Sequence, residues 1–124
     1  MDVTGYRYGL NDCVTFFQEW VRKYGGDEDF VFAPEIWVRH TSARKAHREL
    51  MSKPGGVYQA WRDALSDCAA VKRVYGILRA GDILLSTHSQ YYYTGDGFVH
   101  WGPEGIQQAV APEPFRASFR PVRK

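Results

Sequence analysis

A chain of 124 residues with 44% hydrophobic, 15% aromatic and 24% charged side chains has the composition of a folded protein rather than a disordered one. Its length fits a single domain over 1–124. The formal charge of +2 is too small to argue for nucleic acid, and no run approaches the ~20 apolar residues that cross a bilayer. Two cysteines make neither a disulfide framework nor a CxxC zinc pattern. The opening residues MDVTGYRYG lack the charged-then-apolar order of a secretion signal, so synthesis in the cytoplasm is expected.

The first predicted element is a helix capped by Asn11 or Asp12. Val14, Phe17, Val21 and Tyr24 recur along it at helical spacing, and Gly25-Gly26 stops it. Cys13 then stands in the first turn. After the acidic stretch Asp27–Asp29 come two shorter helices. One runs from about Ser42 to Met51 and is broken by Pro54-Gly55-Gly56; the other runs from about Val57 to Leu65, with Val57, Ala60, Trp61 and Ala64 on one face. The period then changes to that of strands. Ala70–Tyr75, Asp82–Ser86, Gln90–Thr94, Gly97–Trp101 and Ile106–Val110 are short, β-rich and separated by glycine-containing turns. Helices first and strands second predict an α+β fold with an antiparallel sheet packed on the leading helix. The basic clusters Arg39–Arg48 and Arg116–Lys124 read as solvated faces, the second also as a tail able to dock on an acidic partner.

Cys13 is the first candidate for chemistry. Unpaired backbone N–H groups and the helix dipole stabilise a thiolate at a helix start and lower its pKa. Cys68, near the end of a helix, has the opposite environment and reads as structural. His40 and His47 lie among arginines and lysines and read as surface residues. His88 and His100 flank the segment from Ser89 to Val99. Their even separation puts both on one sheet face if the hairpin has no bulge, while a tight turn at Gly95–Gly97 pairs Tyr92 with His100. Cys13, His88 and His100 are also three groups able to bind zinc. A cysteine in a first helical turn beside an imidazole is more simply a nucleophile, so no metal and no cofactor is expected.

Together these pieces resemble the NlpC/P60 family of papain-like cysteine peptidases. Tyr6-Arg7-Tyr8-Gly9 followed by Asp12-Cys13 is similar to the family's Tyr-x-x-Gly loop and Asp-Cys helix start. Ala80-Gly81-Asp82-Ile83-Leu84-Leu85 is similar to its Gly-Asp strand, and His88 to His100 to its histidine strand, turn and following strand. The resemblance implies a papain-like core, with Cys13 as nucleophile, His88 as general base and His100 as the residue that orients it. It also implies that Tyr6 stands beside the nucleophile, where its hydroxyl helps the oxyanion. The implied activity is amide hydrolysis in peptidoglycan stem peptides. The compact form resembles members found in bacteriophage tail tips, which implies tail-hub or tail-tip partners and action at the cell wall from the virion. Val14-Thr15 after Asp-Cys, and Ser89-Gln90 after His88, depart from the small residues usual there. They support an alternative, a structural or binding subunit without turnover. An amidase or acyltransferase of the same superfamily is a third reading.

Overall fold

The computed structural model describes residues 13–33, 48–49, 52, 54–87, 90–102, 105–109 and 114–123, with Val57 and the residues after 100 in the hairpin described by backbone alone. The architecture is α+β. Helix α1 spans Cys13–Gly25 and helix α2 spans Gly56–Ser66; strands follow at Val71–Arg73 (β1), Ile83–Leu85 (β2), Gln90–Tyr93 (β3), Phe98–Gly102 (β4), Gly105–Ala109 (β5) and Ala117–Pro121 (β6). Helical backbone also occurs at Arg48, Glu49 and Ser52, inside and just beyond the helix expected from Ser42 to Met51, most of which lies outside the described residues.

α1 forms because its apolar residues fall on one face. Phe16, Phe17, Trp20 and Val21 are buried, the i, i+1, i+4, i+5 stripe of a core-facing helix. The helix stops where the sequence says it should. Gly26 takes φ +70° and its N–H donates to the Arg22 carbonyl at 3.1 Å, an αL cap that only glycine adopts without strain. The expected caps Asn11 and Asp12 lie outside the described residues. On α2 the buried face is Tyr58, Trp61 and Leu65, rotated from the one expected. Ala60 and Ala64 are only half-buried, because the large side chains remove more apolar area from water and take the core positions.

The six strands form one antiparallel sheet in the order β1-β6-β2-β3-β4-β5. The five expected strands are all present. The sixth corrects the reading of Arg116–Lys124 as a solvated face or docking tail. Ala117, Phe119 and Pro121 are buried in alternation with Ser118 and Arg120, and β6 sits between β1 and β2. The period-2 pattern was present in the sequence, hidden under the basic residue count. Arg120 is no free tail charge either: its Nε donates to Asp82 Oδ1 at 2.7 Å and its Nη2 to Oδ2 at 2.9 Å.

The core lies between the two helices and one face of the sheet. Phe16, Phe17, Trp20, Trp61 and Leu65 meet Val71, Ile83, Leu85, Tyr92, Ala117 and Phe119 there. Gly81 lets this layer close. Its φ is +99° and a Cβ would stand 2.8 Å from Tyr24 Cδ1, while its carbonyl accepts the Trp20 indole N–H at 2.9 Å. Among the described residues no helix is long and apolar enough to cross a membrane.

Candidate functional site

Cys13 is the first residue of α1. The first turn of a helix lies at the positive end of its dipole. Cys13 is in no disulfide and is half-buried, packed against the core cluster of helix and sheet. Phe16 and Trp20 continue the same helix face. They clamp the Tyr92 ring, with centroids 4.7 Å and 4.9 Å away. Tyr92 is 0% exposed, and its hydroxyl has no hydrogen-bond partner among the described residues. Burial above all, and then the charge of Cys13, push that hydroxyl well above the usual tyrosine range.

The strand pair that carries His100 is set by a four-residue turn. Thr94 N–H donates to the Gly97 carbonyl at 2.9 Å, and Thr94 Oγ1 accepts the N–H groups of Asp96 and Gly97 at 3.3 Å and 3.1 Å. Gly95 supplies φ +100°. Tyr93 then pairs with Phe98 and Tyr92 with Val99, which corrects the expected pairing of Tyr92 with His100. The Thr94 side chain widened the turn by one residue on its N-terminal side. This register also removes the parity argument for one shared face, because the pairing sum is now odd.

Alternation along β4 turns His100 to the face opposite Val99, and Val99 packs against the core. The His100 ring lies 5.7 Å from that of Tyr91, and Tyr91 alternates with the buried Tyr92. Phe115 joins this outer cluster, 6.2 Å from Tyr91 and 5.5 Å from Phe98. Cys13 and His100 are thus placed on the two sides of β3 and β4. Tyr6 and His88 lie outside the described residues, so the described residues do not assemble the expected triad.

Cys68 occupies the turn after α2, its N–H donating to the Leu65 carbonyl at 3.2 Å. With Phe30, Phe32 and Ala64 it lines a largely apolar cavity of about 710 Å³, a packing environment rather than an electropositive one. Asp82, read in the sequence only as part of a Gly-Asp strand, is a fully buried carboxylate held by Arg120 and by the Arg79 N–H at 2.9 Å. Tyr92 was missed in the sequence because three consecutive tyrosines give no sign of which one faces inward. Among the described residues no group of three His, Cys, Asp or Glu side chains is placed to hold a metal ion. No family model, no curated protein and no solved structure matches this chain.

Proposed function

We propose that this chain is a cysteine hydrolase of the NlpC/P60 type, with a papain-like core, cutting amide bonds in peptidoglycan stem peptides. The observation that carries the reading is Cys13, a half-buried cysteine outside any disulfide at the first residue of a 13-residue helix packed on an antiparallel sheet. In this reading His88 takes the thiol proton, and Cys13 attacks the carbonyl. The backbone N–H at the helix start and the Tyr6 hydroxyl stabilise the oxyanion. His88 then protonates the leaving amine, and water releases the acyl group. The resemblance gives His100 the orienting role toward His88, and its place on the sheet face away from Cys13 does not support that part of the reading. The setting proposed with it is a bacteriophage tail tip, docked on tail-hub proteins and acting at the cell wall.

Cys13→Ala is expected to abolish release of muropeptide fragments from purified peptidoglycan while the thermal unfolding midpoint stays within a few degrees. Undiminished cleavage by that variant overturns the assignment of the nucleophile. Mass analysis of the products separates peptidase from amidase or acyltransferase chemistry at the same thiol.

A second reading, a binding or structural subunit without turnover, draws support from His100 and its place beside Tyr91 on the sheet face away from Tyr92. An active enzyme alkylates Cys13 far faster than Cys68 at neutral pH. Equal slow rates at the two thiols favour the scaffold.

A further inference from the structure

The formal charge of the chain is only +2, but the charge is unevenly spread. Residues 71–79 and 114–123 hold Lys72, Arg73, Arg79, Arg116, Arg120 and Arg123 and no acidic residue. The fold joins these two stretches. β1 pairs with β6, and Val74 extends the pairing: its N–H donates to the Ser118 carbonyl at 3.0 Å and its carbonyl accepts the Ser118 hydroxyl at 2.9 Å. Among the described residues, Arg120 alone of the six cations meets a carboxylate, that of Asp82. Arg73 and Arg116 are held on rings instead. The Arg73 guanidinium lies 5.1 Å from the Tyr75 centroid and 5.6 Å from that of Phe119, and the Arg116 guanidinium 3.9 Å from that of Tyr58. A ring face fixes a guanidinium without cancelling its charge. Both arginines line one cavity of about 310 Å³, together with Tyr75, Leu78, Leu84 and Phe115. At its edge the loop after β1 holds Tyr75 81% exposed and Ile77 90% exposed. That loop is tied down: the Ile77 carbonyl accepts Arg120 Nη2 at 3.3 Å, and the Arg79 N–H donates to Asp82 at 2.9 Å. An aliphatic side chain kept in water on an anchored backbone forgoes burial that a partner can supply.

We propose that this end of β1 and β6, with the loop after β1, is a docking surface for an acidic segment of a partner protein. Carboxylates of the partner meet Arg73, Arg79 and Arg116, and an apolar side chain packs against Tyr75 and Ile77 at the mouth of the cavity. The contact is a folded face, not a free tail. Arginines without carboxylates would suit any anion, and the aliphatic part of the surface decides the class. A nucleic-acid strand brings phosphates and base faces but little aliphatic surface for Ile77 and Leu78, whereas an acidic peptide brings carboxylates and apolar side chains together. A net charge this small also gives a long polyanion weak attraction beyond a Debye length of about 10 Å. Arginine, tyrosine and phenylalanine are the residues that protein interfaces enrich. Guanidinium forks match carboxylates two atoms to two, as Arg120 already does on Asp82. Cys13 is not part of this surface, so the hydrolase reading and this one stand or fall separately.

The experiment selects peptides from a displayed library of random short sequences on the immobilised full chain, then titrates the enriched peptides by fluorescence anisotropy. They are expected to carry several carboxylates beside a leucine, isoleucine or aromatic residue, and to bind more weakly as salt is raised. Arg116→Glu should weaken them about tenfold and Ile77→Ser about threefold. Val31→Ser, at an exposed aliphatic residue of the other cavity, should leave their affinity unchanged. Both Arg116 and Ile77 are exposed, and circular dichroism checks that the variants fold. If Arg116→Glu does not fold, Ile77→Ser against Val31→Ser decides alone. Enrichment of basic or uncharged peptides overturns the proposal, as does the absence of any enriched peptide. So does an affinity that neither surface variant moves. A poly-dT strand that binds more tightly than the enriched peptides makes the surface a nucleic-acid site and overturns it as well.

Discussion

The two faces of the sheet handle polarity in opposite ways. On the outer face Asp82 is a fully buried carboxylate whose oxygens are all engaged, two contacts from Arg120 and one from the Arg79 N–H. On the inner face Tyr92 is equally buried, and among the described residues its hydroxyl has no partner. The outer face joins a complete polar clamp to a half-open aromatic cluster. The inner face is aromatic and aliphatic packing with one polar atom left over. A satisfied buried charge is a structural tie between strands, whereas an unsatisfied buried hydroxyl is a cost that the surrounding packing must offset.

Emptying the inner face should cost most. Trp61→Ala removes a residue that touches Phe17 and Phe32 at 5.8 Å and 5.9 Å between ring centroids, and a loss of about 4 kcal/mol is expected in urea unfolding. Breaking the outer clamp comes next. Arg120→Ala leaves the Asp82 carboxylate buried without its cation, at about 3 kcal/mol, the lower end for such a pair because the Arg120 side chain is 20% exposed. A loss below about 1 kcal/mol would show that Asp82 is solvated and that the contrast between the faces is wrong.

The inner hydroxyl also has a pH signature of its own. Its folded pKa is raised above the unfolded value of about 10. Its contribution is therefore intact below pH 10 and is lost as the pH climbs, since the unfolded chain releases this proton first. Stability should fall by about 1 kcal/mol between pH 10 and 11 from this group, and Tyr92→Phe should remove that share of the slope. The smallest effect belongs to the outer cluster. Phe115, exposed at 37%, should cost no more than about 1 kcal/mol when replaced by alanine. A loss comparable to that of Trp61→Ala would make the outer cluster a second core.

Much of the fold was legible in the sequence and much less of the site. The stop of α1 at Gly25-Gly26 and the five strands before Pro112 follow from local rules, helical spacing, glycine turns and β-rich runs. What failed depended on distant partners. The β6 sequence reads as a basic tail because Arg116, Arg120 and Arg123 dominate it, and nothing local announces that Arg120 will meet Asp82, 38 residues earlier. The hairpin register missed by one step because Thr94 caps its own turn, a side-chain effect that strand periodicity does not contain. Cys13 was legible because a helix start is local. Its neighbour Tyr92 was not, because inward and outward tyrosines differ only by register.

The place of β6 has a consequence for how the chain acquires its structure. Among the described strands β1 pairs only with β6, and β6 joins β1 to β2, so residues 71–73 and 83–85 enter one sheet through residues 117–121. Strand addition cannot proceed from each neighbour to the next. The segment after β5 must pair with the free edge of β2 and take up β1 on its other side, a long loop closure whose entropy is spent before the new pairing compensates it. Refolding should therefore show the β3–β4–β5 meander forming early, and the protection of the Val74 and Val122 amides, which donate to the Ser118 and Ala70 carbonyls, arriving last and together.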